Sequence, residues 1–301
     1  MKKYPYRLVV CGLVRNAEEN LRSNLARLDV LRPHFDSFKV VIYENDSTDR
    51  TKEILKAYAA ASQDAFVSIA DYNETPLAAG PFSLHRIDLM ARFRNQYLEK
   101  LSEYPDTDFV AIIDLDIYNF SLDGFLNCFG ETGSWSMRSA FGSNYVPYSF
   151  YPVFYDIYAY MPLQEEAVLG LYFHDFTEFK KQQRELYITF SKTTDLVPVN
   201  SNFNGLALYR YYCLVSGVRY KSAPCTMEGV SSFCEHVVFN KLLMDKGFEG
   251  FYLDPSLKVI YEKPDRWKHY RNYSEYKALS FMRKVYGILR KMLRLRITSR
   301  G

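Results

Sequence analysis

No stretch of the 301-residue chain reaches the ~18 consecutive apolar residues that a membrane-crossing helix needs. The N-terminus, Met-Lys-Lys-Tyr-Pro-Tyr-Arg, enters a strand pattern directly and lacks the apolar region of a secretory signal, so the expectation is machinery in the cytosol or facing it. CxxC pairs are missing as well. The five cysteines (Cys11, Cys128, Cys213, Cys225, Cys234) are odd in number and scattered, which fits reduced thiols and gives no zinc site. Net charge is only +3, so no nucleic-acid partner is implied. The glycine motifs GxxxxGK[ST], GxGxxG and GxSxG are all absent. Their absence argues against a P-loop enzyme, a dinucleotide oxidoreductase and a serine hydrolase. Any bound nucleotide must be held by side chains and metal.

What is present suits one large α/β domain or two small ones, with 48% hydrophobic residues. Strand patterns at residues 7–14, 38–43 and 65–70 alternate with helical patterns at 18–31, 51–61 and 85–101. Ser47 or Asp49 is the expected N-cap of the second helix. This alternation predicts a three-layer α/β/α sandwich with a mostly parallel central sheet. Beyond residue 140 the pattern loosens. Residues 141–162 read as a long loop rich in Tyr, Phe and Pro, 198–212 as a turn and strand, and 234–246 as a helix. A last strand is expected at 251–252 or 257–261, before a polar stretch at 262–274. Aromatics reach 17%, which suits walls for stacking sugar rings and equally suits a large core.

Residues 109–116, Phe-Val-Ala-Ile-Ile-Asp-Leu-Asp, carry the chemistry. An unbroken apolar run reads as a strand covered on both faces, and at its carboxyl end Asp114 and Asp116 fall on one side. Two convergent carboxylates attract Mg²⁺ or Mn²⁺, usually shared with substrate phosphates. The other predicted strands also end in polar clusters, Arg15-Asn16 after the first and Glu44-Asn45-Asp46 after the second. The helix before the Asp-x-Asp strand supplies Arg86, Arg92, Arg94 and Asn95. An acid after strand two can accept from a base N–H or a ribose hydroxyl, and arginine forks can neutralise a diphosphate. Together these describe a nucleoside-diphosphate site with a bridging metal.

Four ordered motifs between residues 8 and 261 resemble those of GT-A fold glycosyltransferases. Glu44-Asn45-Asp46-Ser47-Thr48-Asp49-Arg50-Thr51 is similar to their acidic-x-x-Ser-x-Asp-x-Thr signature, and Ala91-Arg92-Phe93-Arg94-Asn95 to their Ala-Arg-Asn helix. Asp114-Leu115-Asp116 resembles their metal motif, and Cys234-Glu235-His236 with Lys241 to Phe248 their acceptor-side helix. Arg86-Ile87-x-x-Met90-Ala91-x-x-Arg94-Asn95, Tyr155-Asp156-Ile157-Tyr158 and Phe203-Asn204-Gly205 resemble fungal capsule-associated α-mannosyltransferases. The resemblance implies a nucleotide-sugar donor, with GDP-mannose or another NDP-hexose as candidate. It also implies a saccharide or lipid-linked glycan acceptor, and a role in capsule, surface-polysaccharide or glycoconjugate synthesis. It places Asp116 on the metal and Asp114 on metal or ribose, with Asn204 and the Tyr-rich loop around the sugar. His269 falls where families of this fold often carry a third metal ligand. The inverting relatives carry Glu-Asp at the head of the acceptor helix, where this chain has Glu235-His236. Glu235 acts as base, His236 does, or the enzyme retains configuration and needs neither.

The last residues, 273–301, form a separate basic amphipathic helix by pattern. Val285, Ile288, Leu289, Met292 and Leu295 share a face away from Lys284, Lys291 and Arg294. Such a helix can lie on an anionic leaflet or pack on the domain at 1–272. Two rival functions remain: a sugar-1-phosphate nucleotidyltransferase, and a non-catalytic carbohydrate-binding protein on the same scaffold. The first would show a glycine-rich basic signature after strand one, which Cys11-Gly12-Leu13-Val14-Arg15 does not supply.

Overall fold

The structure, a computed structural model, describes residues 2–73, 82–130, 133–163, 176–227 and 230–298. The first half runs β1 (Tyr4–Val14), α1 (Glu18–Leu31), β2 (Phe35–Asn45), α2 (Thr51–Ala61), β3 (Ala65–Ala70), α3 (Leu84–Lys100) and β4 (Phe109–Asp114). This is the predicted alternation, with the first two strands longer than expected. Next come β5 (Asn119–Phe120), α4 (Leu122–Asn127), β6 (Met137–Asn144), β7 (Val153–Phe154), β8 (Met161–Pro162) and α5 (Phe176–Phe190). The chain then forms β9 (Val197–Ser201), β10 (Leu206–Arg210), α6 (Tyr211–Leu214), β11 (Pro224–Met227) and β12 (Val230–Ser232). It ends in α7 (Glu235–Asp245), β13 (Phe251–Ile260) and α8 (Arg266–Thr298).

One large sheet has the order β3-β2-β1-β4-β10-β6-β13-β9-β8. The first four strands pair in parallel, and β10 inserts antiparallel between β4 and β6. Parallel strands β3, β2, β1 and β4 joined by helices are the Rossmann-like α/β/α arrangement that the alternation predicts. The apolar strands are explained by burial on both sides. In β1, Leu8 and Val10 pack with Leu21, Leu25 and Leu28 of α1, while Val9 and Cys11 pack with Tyr97 and Leu98 of α3 and Phe239 of α7. In β4, Phe109, Ala111 and Ile113 face the α1 side, and Val110 and Ile112 the α3–α7 side. Each such Val, Leu or Ile contributes about 1.5–3 kcal/mol by leaving water. Period-two alternation then sends Asp114 toward α3 and α7.

Several expectations need correction. The 141–162 loop begins inside strand β6, which pairs with β10 and β13. Its polar residues hid it: Arg138 is buried against Asp254 at 3.6 Å, and the Ser139 hydroxyl donates to the Tyr252 carbonyl. The two alternatives for the last strand are halves of one strand, β13, interrupted by a register shift between Asp254 and Lys258. The polar stretch at 262–274 is helical from Arg266, so the terminal helix starts earlier than its pattern suggested. Residue Arg50 occupies the N-cap position of α2. The Ser47 hydroxyl accepts from the Asn16 amide instead, while Asp49 Oδ1 accepts from the Thr51 amide.

Candidate active site

The carboxyl ends of β1, β2 and β4 and the start of α7 surround a cavity of about 380 Å³. Asp114 and Asp116 line it together. The backbone between them is pinned from the opposite face by two asparagines of α1. Asn24 Nδ2 donates to the carbonyls of Leu115 (3.0 Å) and Ile117 (2.7 Å), and Asn20 Nδ2 to that of Asp116 (2.9 Å). The Tyr261 hydroxyl donates to Asp116 Oδ2 at 3.2 Å, and its ring stacks on Tyr155 at 3.8 Å. Burial, with Asp116 alongside, pushes the Asp114 carboxyl up to about 7 against the pull of Arg94. Burial raises Asp116 too. Two crowded carboxylates that resist ionising are short of positive charge, and their hard oxygens fit Mg²⁺ or Mn²⁺. Among the described residues no cluster of three His, Cys, Asp or Glu side chains completes a metal cage. Further ligands would have to be phosphate oxygens and water, as is usual for Mg²⁺. The expected third ligand, His269, does not line the cavity. It sits in the first turn of α8, with Nε2 3.2 Å from the Phe150 carbonyl and its ring against Tyr145.

Arg94 is the hub of the wall. Its side chain is buried, with Nε donating to Glu235 Oε1 at 2.9 Å and Nη2 lying 3.6 Å from Asp114 Oδ1. The guanidinium lies over Phe203, which stacks in turn on His236 at 3.8 Å. Arg94 was expected on a diphosphate; here it bridges two acids of the protein. Glu235 is the first residue of α7 and is nearly buried, at 4% exposure. His236 is packed between Phe203 and Tyr220, and burial followed by the Arg94 charge drives its pKa well down. Neither ring nitrogen has a hydrogen-bond partner among the described residues. This histidine is a neutral, packed ring on the cavity wall.

The remaining candidates divide between the cavity and its supports. Arg15, Asn45 and Arg86 line the cavity beside Asp114. Glu44 does not; it is buried, and Oε1 accepts from the Ser47 amide at 2.7 Å, which closes the turn after β2. Asp46, at φ 54°, accepts from the Asn73 amide and from Asn45 Nδ2. Burial would raise its carboxyl, but these bonds prevail and hold it low. Arg92 lies on the exposed face of α3 over the Tyr72 and Phe93 rings and does not line the cavity. Asn95 clasps the backbone of Tyr220 through both amide and carbonyl, each at 2.9 Å. Glu44, Asp46 and Asn95 thus brace backbone around the cavity, and Arg92 lies outside its lining, although their positions at a strand end and on α3 had suggested ligand contacts.

Asn204 is wholly buried and also outside the cavity lining. Its Oδ1 accepts from the Asp156 amide at 2.9 Å, and its Nδ2 donates to Asn202 Oδ1 at 2.5 Å. Asn202 is tied to β6 through Ser139 and Ala140. The residue so held, Asp156, lines the cavity, and site prediction had passed over it. Only its place in the Tyr155–Tyr158 stretch gave a signal. Asn20 and Asn24 gave none, since polar residues on an amphipathic helix read as solvated.

Residues 17–240 match the protein family described as Cryptococcal mannosyltransferase 1. No curated protein matches the chain. Among solved structures, the mannosyltransferase PcManGT from Pyrobaculum calidifontis, in complex with GDP-Man and Mn²⁺, is similar over 87% of this chain and 59% of its own. Its identity is 16% and the TM-score 0.47. S. aureus TarS 1–349 is similar over 87% of this chain and 62% of its own, at 14% identity and TM-score 0.46. M. tuberculosis glucosyl-3-phosphoglycerate synthase is similar over 86% and 73%, at 13% identity and TM-score 0.42. The chain spans about three fifths of the length of the first two.

Proposed function

The chain belongs to the Cryptococcal mannosyltransferase 1 family, and from that premise we propose that it is a metal-dependent glycosyltransferase. The donor is a nucleotide sugar, with GDP-mannose the first candidate, and the acceptor a saccharide or lipid-linked glycan. The observation that carries this reading is the Asp114–Asp116 pair, set at the end of β4 in a cavity that also holds Arg15 and Arg86. Asp114 and Asp116 would hold Mn²⁺ or Mg²⁺, which neutralises charge on a departing diphosphate. Arg15 and Arg86 are the side chains suited to the diphosphate oxygens, and Asn45 to a ribose or sugar hydroxyl. Arg94 ties Asp114 to Glu235 across the cavity wall. The stacked Tyr155 and Tyr261 rings offer an apolar wall to a sugar face. The test is a panel of nucleotide sugars with Mn²⁺, scored for nucleoside diphosphate release. Turnover that chelation abolishes is expected with at least one donor. No release and no binding with any donor rejects the proposal.

The terminal helix adds a location to this reading. Phe281, Met282, Val285, Tyr286 and Ile288 of α8 are exposed, in a segment where Lys and Arg outnumber acids ten to one over 266–298. Apolar side chains in water beside basic ones suit the cytosolic face of an anionic membrane. The side chains of Lys284, Leu289, Lys291, Met292, Arg294 and Leu295 lie outside the described residues. No helix among the described residues is long and apolar enough to cross a membrane.

A further inference from the structure

We propose that the cleft where α8 docks beside α5 is a binding site for a lipid whose headgroup ends in a phosphate. The assignment rests on the membrane location given to α8 above and is independent of glycosyl transfer. This cleft, of about 680 Å³, shares no lining residue with the Asp114–Asp116 cavity. It lies between α5, residues 148–151 of the β6–β7 connection, and residues 273–280 of α8. Four cations line it, Lys180, Lys181, Arg184 and Lys277, against one acid, Glu185. Lys181 is engaged locally by Glu178 at 3.7 Å and Glu185 at 4.0 Å. Arg184 and Lys277 have no hydrogen bond or ion pair among the described residues. Like charges four residues apart on a helix, as Lys180 and Arg184 are, repel each other, and Lys277 adds a third cation from the facing helix.

Aromatic rings hold two of these cations in place. Lys180 Nζ donates to the Tyr276 hydroxyl at 2.9 Å and stands over the Tyr148 and Tyr276 rings at 5.7 and 5.6 Å. Lys277 Nζ lies 5.5 Å over the Tyr273 ring. A ring beneath an ammonium group fixes its position without using all three of its N–H donors. Cations gathered in this way suit an anion of more than one charge. A terminal phosphate carries about −1.5 to −2 at neutral pH and offers three acceptor oxygens. Arg184 can take two of them in its fork, and the lysines serve as point charges. The rim identifies the carrier. Phe150, Tyr151 and Ile188 line the cleft and are exposed. Ser280 lines it from α8, and the exposed Phe281, Met282 and Val285 come next along that helix. A soluble phosphate has no use for an apolar collar in water. A lipid sets its phosphate at headgroup depth and its chains against such side chains.

Flotation of the full chain with phosphatidylcholine vesicles carrying phosphatidic acid or phosphatidylserine, matched in surface charge, tests this. Half-maximal flotation should need about tenfold less phosphatidic acid than phosphatidylserine. The double variant Arg184→Gln, Lys277→Gln should bring that ratio to about one, while still floating with phosphatidylserine through the exposed segment past residue 280. Loss of surface charge alone weakens both kinds of binding together and leaves the ratio where it was. Glycerol 1-phosphate, the same group without a chain, should not displace the protein at a concentration equal to that of the lipid. Equal flotation with both lipids, a ratio that the double variant keeps, or full displacement by glycerol 1-phosphate overturns the headgroup site and leaves the membrane location standing. No flotation with either lipid overturns both and leaves glycosyl transfer to its own test.

Discussion

Single side chains in the cavity trade stability for charge. Asp156 sits above its ordinary pKa because burial penalises the ionised form. The folded state therefore holds its proton more tightly than the unfolded chain. Ionisation of this group withdraws stability at neutral pH, and the stability returns as pH falls through about 6 toward the unfolded value. Asp156→Asn should accordingly be more stable than wild type at pH 7.5 by about 2 kcal/mol, with the gap closing by pH 4. Urea melts at the two pH values measure this, and an unchanged or lowered midpoint at pH 7.5 contradicts it. Glu235 predicts the opposite sign. Removing its charge strips the buried Arg94 of its closest partner and leaves Asp114 at 3.6 Å as the remaining one. Glu235→Gln should cost about 2–4 kcal/mol in the same melts and weaken Mn²⁺-dependent nucleotide binding through Asp114. A neutral effect on both would show that the bridge does not hold the site.

At the level of elements, α1 acts as a clamp on the metal strand. Asn24 is wholly buried and satisfies two carbonyls of the Leu115–Ile117 segment, while Asn20 satisfies the third. Asn24→Ala leaves those carbonyls dry and unpaired, at a cost of about 2–3 kcal/mol. The looser Asp116 should raise the Mn²⁺ concentration needed for half-maximal turnover, which a metal titration of the variant checks. Much of this layer of structure was legible in the sequence, for a definite reason. Strands β1, β2 and β4 are buried on both faces, so they read as apolar runs, and their carboxyl ends had to meet. Strand β6 was not legible, because Arg138 and Ser139 are buried with partners from β13 that no local pattern announces. Asp114, Asp116, Arg15 and Asn45, expected from polar clusters at strand ends, and Arg86, expected from the helix before β4, all line the one cavity. Asn204, Asn95 and Glu44 carried the right motif but serve as braces, a distinction set by contacts across the fold. Asp156 lay hidden because its orientation depends on a positive φ at Asn204.

Over the whole molecule, α8 divides into a docked and an undocked part. Tyr270 and Tyr273 meet Phe150, and Tyr276 takes a hydrogen bond from Lys180. Past Leu279, Phe281, Met282, Val285, Tyr286 and Ile288 are exposed, Phe281 at 69%. Deleting residues 280–301 should leave the thermal midpoint and activity on a soluble acceptor unchanged while reducing flotation with phosphatidylserine vesicles. Equal flotation of both forms would remove the membrane from the account. The insertion of β10 beside β4 bears on how the chain is made. While a ribosome works from Asp114 to Leu206, β4 is a bare edge of Phe, Val, Ala and Ile with no strand yet synthesised to cover its outer side. At about 5–20 residues per second the nascent chain carries this sticky margin for several seconds, long enough to pair with a neighbour on the same message. Production of this protein should therefore depend on chaperones that shield emerging edges, and fragments stopping before β10 should collect in inclusion bodies.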